Sequence, residues 1–136
     1  MVGLVGGKMP IISSVDHKRR EVTAIAVGPV TYADVAAHFS HERHRHGLSY
    51  PAFIDVRAAG IAFTPEEGRR IGELIRKLSE ESPLGRTAIL VSSDEGYEIV
   101  CKLEQMVGDV CELKAFRDEE EAHAWLAATT ANGRYK

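Results

Sequence analysis

"TAILVSSDEGYEIVCKLEQMV", residues 87–107, is the stretch from which the fold class can be read. Thr87 to Val91 form a short apolar run of strand length. From Ser92-Ser93-Asp94 onward the period changes, and Ile99, Val100, Leu103, Met106 and Val107 recur at helical spacing. A strand that passes through a polar turn into an amphipathic helix is the building unit of α/β architecture.

The same unit recurs on both sides. Upstream, Ala52 to Val56 is an apolar run suited to a strand buried on both faces. Thr64-Pro65-Glu66-Glu67 then opens a helix: Thr64 is the N-cap, Pro65 takes the first helical position and Glu67 closes a capping box. Ile71, Leu74, Ile75 and Leu78 form its inner stripe, and Pro83 and Gly85 break the chain. Downstream, Glu112 to Phe116 is a more polar strand, expected near a sheet edge. Asp118 caps a last helix that turns Ala122, Trp125 and Leu126 inward.

Toward the N-terminus, Pro10–Val15 and Arg20–Val27 read as two strands around a turn at Asp16–Arg19, the second ended by Gly28-Pro29. Thr31 caps a helix running to about His44, with Tyr32, Val35, Ala36 and Phe39 as its inner stripe. The order is strand, strand, helix, then three strand–helix units. It predicts one layered α/β domain over residues 9–128: a mostly parallel sheet of four to five strands, an antiparallel N-terminal hairpin strand and about four helices. Residues 1–8 and 129–136 are expected to be flexible ends. The inward side chains are expected to be used up in a compact body without a deep hole.

The chain has 136 residues, enough for one domain with a real core. Its 44% apolar and 27% charged content is that of a globular protein, and a net charge of −3 argues against a nucleic-acid partner. No apolar run is long enough for a membrane span, and the N-terminus lacks a signal-peptide core, so the cytoplasm is expected. Cys101 and Cys111 form no metal-type spacing and read as reduced, largely buried apolar residues.

"HFSHERHRHG", residues 38–47, places four histidines and two arginines in ten positions. His38, His41 and His44 fall along one line of the helix, opposite the apolar stripe. A metal site is one reading, but the line is exposed and has no neighbouring cysteine or supporting shell. The expectation is no metal and no cofactor: a solvated helix end whose cations suit its C-terminal dipole.

In parallel sheets ligands favour the carboxyl ends of strands. Those ends carry Arg57, Ser92, Ser93 and Arg117, a set able to face an anion beside a helix N-terminus. Capping and local ion pairs explain the same residues. No GxSxG, phosphate loop or other catalytic constellation is present, so an enzyme is not expected.

The succession of "FIDVR", "TAILVSSDEGYEIVCKLEQM" and "LKAFRDEEEAHAWL" resembles the STAS-like, or SpoIIAA-like, family of small bacterial proteins. The resemblance spans about Met9 to Ala127, and "FRDEEEAHAWL" is its most characteristic part. It implies a four- to five-stranded sheet with helices mostly on one face. It also implies a regulatory role like that of anti-sigma factor antagonists, which dock to a partner kinase and are phosphorylated on a serine after the third strand. Here Val56 and Arg57 follow Phe53-Ile54-Asp55, and Thr64 is the nearest hydroxyl at the helix start. The architecture is also similar to Sec14-type lipid-binding modules. The expectation is therefore a non-enzymatic regulatory or protein-interaction domain with a protein partner. The alternative is a module for a lipid or small anionic ligand held by Arg57, Ser92, Ser93 and Arg117. Whether the chain forms a homodimer stays open.

Overall fold

The computed structural model describes residues 10–132, and the side chains of residues 10–128. Of the expected flexible ends, residues 1–8 and 133–136 lie outside what it describes. The elements are β1 (Ile11–Asp16), β2 (Glu21–Val30), α1 (Tyr32–His44), β3 (Ala52–Ile61), α2 (Pro65–Ser79), β4 (Thr87–Leu90), α3 (Asp94–Val107), β5 (Leu113–Phe116) and α4 (Glu119–Asn132). The last helix thus runs past Thr129, where the sequence pattern ends it.

The five strands lie in chain order, β1-β2-β3-β4-β5, with β1 antiparallel to β2 and all other pairs parallel. The hairpin turn is fixed by Asp16, whose Oδ1 accepts the N–H groups of Lys18 and Arg19, both at 3.0 Å. Helices α1, α2 and α3 share one face of the sheet. Their side chains Val35, Phe39, Ile71, Ile75, Val100 and Val107 belong to one apolar cluster with Leu113 and Ala115. Helix α4 lies on the opposite face, where Ala122 packs with Phe53, Ala88, Leu90 and Phe116. Strict alternation along β4 serves both layers: Ala88 and Leu90 are fully buried beneath α4, while Ile89 faces the three helices. Each fully buried Leu or Ile contributes roughly 1.5–3 kcal/mol.

Two strands run beyond their expected ends. After a register shift between Ile25 and Val27, residues Val27–Val30 pair with Ala58–Ile61. Gly28-Pro29 does not stop β2. The missing N–H of Pro29 falls where β1, whose pairing ends at Ile11–Ala26, no longer reaches. Gly28 takes the positive φ (76°) that the bend requires.

Helix α4 covers β3 to β5 and leaves the hairpin bare on its side. Ile12 and Ile25, directly paired across β1 and β2, are 65% and 49% exposed, and Val27 is 56% exposed. Among the described residues no helix is long and apolar enough to cross a membrane.

Candidate functional site

At the carboxyl ends of the strands each expected ligand-binding residue has a structural partner. Arg57 Nε donates to Asp55 Oδ1 at 3.0 Å and Arg57 Nη2 to Asp55 Oδ2 at 2.8 Å, with Glu119 Oε1 at 3.3 Å. The Arg57 guanidinium holds the Asp55 carboxyl below its ordinary range. Arg117 pairs with Asp94 at 2.8 Å and lies over the Tyr97 ring at 4.6 Å. Ser93 caps α3 by accepting the Gly96 N–H at 2.9 Å, and Ser92 Oγ donates to the Arg57 carbonyl at 3.0 Å. The two serines meet in a hollow of 60 Å³ walled by Val56, Gly60, Ile61 and Val91. Neither arginine lines it. An anion here would have to draw Arg57 and Arg117 away from carboxylates they already contact.

Thr64 is exposed and caps α2. Its Oγ1 accepts the Glu67 N–H at 3.1 Å, while Glu67 Oε1 accepts the Thr64 N–H at 3.0 Å. A phosphate there would join the helix dipole favourably but would sit beside Glu66 and Glu67.

The main concavity lies elsewhere, between the sheet and the layer of α1, α2 and α3. It measures 170 Å³ and overturns the expectation of a body without a hole. Its floor is the inner face of the central strands, with Ala26, Ala52, Ile54, Val56 and Ile89. Ile54 and Ile89 sit mid-strand in the middle of the sheet, yet are only half-buried, because both border this space, Ile89 while also packing against the apolar cluster of the helices. The physical cause is local. Small residues at Ala26, Ala52 and Ala59 lower the floor, and α1 offers only Val35 and Phe39 as large apolar side chains there before its face turns polar. A cavity of about 150 Å³ lined by Leu, Ile and Phe stays dry and takes up benzene in another protein. Space of this size therefore suits one ring or a short chain.

Two ionisable side chains of α1 stand in this apolar wall. Glu42 is only 3% exposed. Its Oε2 accepts from Ser13 Oγ at 2.7 Å, and its Oε1 has no hydrogen-bond partner among the described residues. Gly47, just past the end of α1, makes this burial feasible: a β-carbon there would stand 2.8 Å from Glu42 Oε1 and 3.2 Å from Val22 Cγ2. His38, one turn before Glu42, also lines the cavity and is half-buried. Burial lowers its pKa below 6.5, Glu42 pulls it back up, and His41 lowers it further.

This corrects the reading of the histidine stretch. His41 and His44 are exposed, with Arg45 Nη1 reaching His41 Nε2 at 3.4 Å, but His38 turns inward and leaves the wet line. Among the described residues no group of three or more His, Cys, Asp or Glu side chains comes together as a metal-ligand set. Glu42 was missed because it is charged, although Val35, Phe39 and Glu42 follow the helical spacing of a buried stripe. Tyr50 also lines the cavity, and its hydroxyl is 2.7 Å from His17 Nδ1. Cys111 borders the cavity too. Burial pushes its thiol up to about 11, which leaves it a poor nucleophile.

The sequence matches no family model. No curated protein matches it either. The fold is similar to that of an uncharacterised protein of the DUF3478 family, with a SpoIIAA-like fold, from Shewanella loihica PV-4. The two superpose with a TM-score of 0.60 over 91% of this chain and 99% of that one, at 20% sequence identity. The chain thus has a SpoIIAA-like fold, as the resemblance of its sequence implied.

Proposed function

We propose that this protein is a non-enzymatic binding module that takes an apolar small molecule or short lipid chain between its sheet and its three-helix layer. One observation carries the reading: mid-strand residues Ile54 and Ile89, on the inner face of the sheet, border a 170 Å³ apolar space. The lipid alternative read from the sequence is kept, but its site moves from the strand ends to the interior. The test is titration with toluene, followed by calorimetry and thermal unfolding. Saturable binding that raises Tm is expected, and the variant Ile54→Trp, which fills the space, abolishes it while remaining folded. Absence of binding to the wild type would overturn the reading.

The bare strip of Ile12, Ile25 and Val27 favours a second reading, a regulatory domain that docks a protein partner or a second copy on the hairpin face. Sedimentation of wild type and Ile25→Glu at increasing concentration tests the second-copy form. Self-association lost in the variant supports it, and a wild type that stays monomeric overturns that form.

A further inference from the structure

We propose that Glu42 selects what enters the cavity, and that the ligand is an apolar molecule carrying one N–H or O–H donor for Glu42 Oε1. The inference rests on the cavity reading above and adds the chemical class of its occupant. A carboxylate oxygen removed from water is costly unless it is hydrogen-bonded. Glu42 is 3% exposed, and Ser13 Oγ at 2.7 Å serves only Oε2. Oε1 stays without a partner among the described residues. The chain keeps room at that oxygen, since any side chain at position 47 would crowd it.

The surrounding wall sharpens the selection. Among the described residues no lysine or arginine lines the cavity, so none of them would neutralise an anionic ligand placed beside Glu42. His38, the nearest basic group in the wall, is held toward its neutral form by burial. A free fatty acid or other carboxylate would meet a like charge in a low-dielectric space. An alcohol or amine on an apolar body would complete the hydrogen bonding of Glu42 while filling the remainder with carbon.

The test compares four one-ring probes of similar size on the full chain by calorimetry: toluene, benzyl alcohol, benzylamine and benzoate. Benzyl alcohol and benzylamine are expected to bind about tenfold tighter than toluene, the gain of one hydrogen bond to a charged acceptor, and benzoate more weakly than toluene. Glu42→Leu should abolish the donor preference, so that benzyl alcohol and benzylamine bind no tighter than toluene. Benzoate binding as tightly as the donors, donors binding no better than toluene, or an unchanged ranking in Glu42→Leu each overturns the proposal. The ranking on the wild type alone decides the matter should that variant not fold. Failure of all four probes, toluene included, refutes the cavity reading itself and is thereby distinguishable.

Discussion

Gly47 and Glu42 constrain each other at two points. The Gly47 N–H donates to the Glu42 carbonyl oxygen at 2.8 Å, and the missing side chain of Gly47 leaves space for Glu42 Oε1. The first contact closes the end of α1. The second lets a carboxylate lie where a globular helix would normally present an apolar residue.

Gly47→Ala tests this pairing directly. The added methyl would stand within 3.2 Å of Val15 and Val22 as well as Glu42, so the carboxylate must move. A loss of about 1–3 kcal/mol is expected from overpacking, measured by urea unfolding. An unchanged midpoint would mean that the region relaxes freely.

Glu42→Leu combined with Ser13→Ala should have the opposite effect on the unliganded protein. The pair replaces a buried, half-satisfied carboxylate and its donor by apolar groups, a change that is neutral or stabilising. A gain on the order of 1 kcal/mol is expected, read as a raised Tm. Destabilisation by more than that amount would show that Glu42 is satisfied in the empty protein.

His38 makes stability depend on pH. Its folded pKa lies below 6.5, so the unfolded chain takes up the proton first. Stability is therefore fully present above pH 6.5 and falls as pH drops through that value toward the folded pKa. His38→Gln should flatten this part of the profile, as seen in urea midpoints collected across the range. An identical slope in the variant would assign the effect to other groups.

Arg86 ties α4 to the strands beneath it. Its guanidinium is bidentate to Glu112 at 2.8 and 3.1 Å, donates to the Trp125 carbonyl at 3.2 Å and lies 4.1 Å over the Trp125 ring. Lysine keeps the charge but loses the fork and the stacking plane. Arg86→Lys is expected to cost about 1–2 kcal/mol. The Trp125 fluorescence transition in urea reports it, and a variant as stable as wild type would count against this tie.

How far the sequence could be read follows from what each signal encodes. Thr64-Pro65-Glu66-Glu67 announced α2 because capping is a local matter, and the structure contains both halves of that box. Gly28-Pro29 misled, because whether a proline interrupts a strand depends on which neighbour lacks a bond there, a property of the sheet and not of the segment. The cavity was invisible for a related reason. Periodicity tells which side of Ile54 or Ile89 turns inward, but not whether anything meets it. Arg57 and Arg117 were recognised as cations at strand ends, and a local ion pair such as Asp55–Arg57 was legible there, while the pairing with Glu119 and Asp94 needed three dimensions. Glu42 alone was within reach, as the one acid on an otherwise apolar repeat.

The order of strands across the sheet coincides with their order along the chain. Only the β1–β2 hairpin pairs residues close in the chain; the parallel pairings join residues 30, 35 and 26 positions apart, as in Val22–Ala52, Ala52–Thr87 and Thr87–Leu113. Each such crossover must be closed before its contacts stabilise anything. Assembly that begins at the β1–β2 hairpin and advances one crossover at a time is therefore expected to be slower than that of a helical bundle of this size.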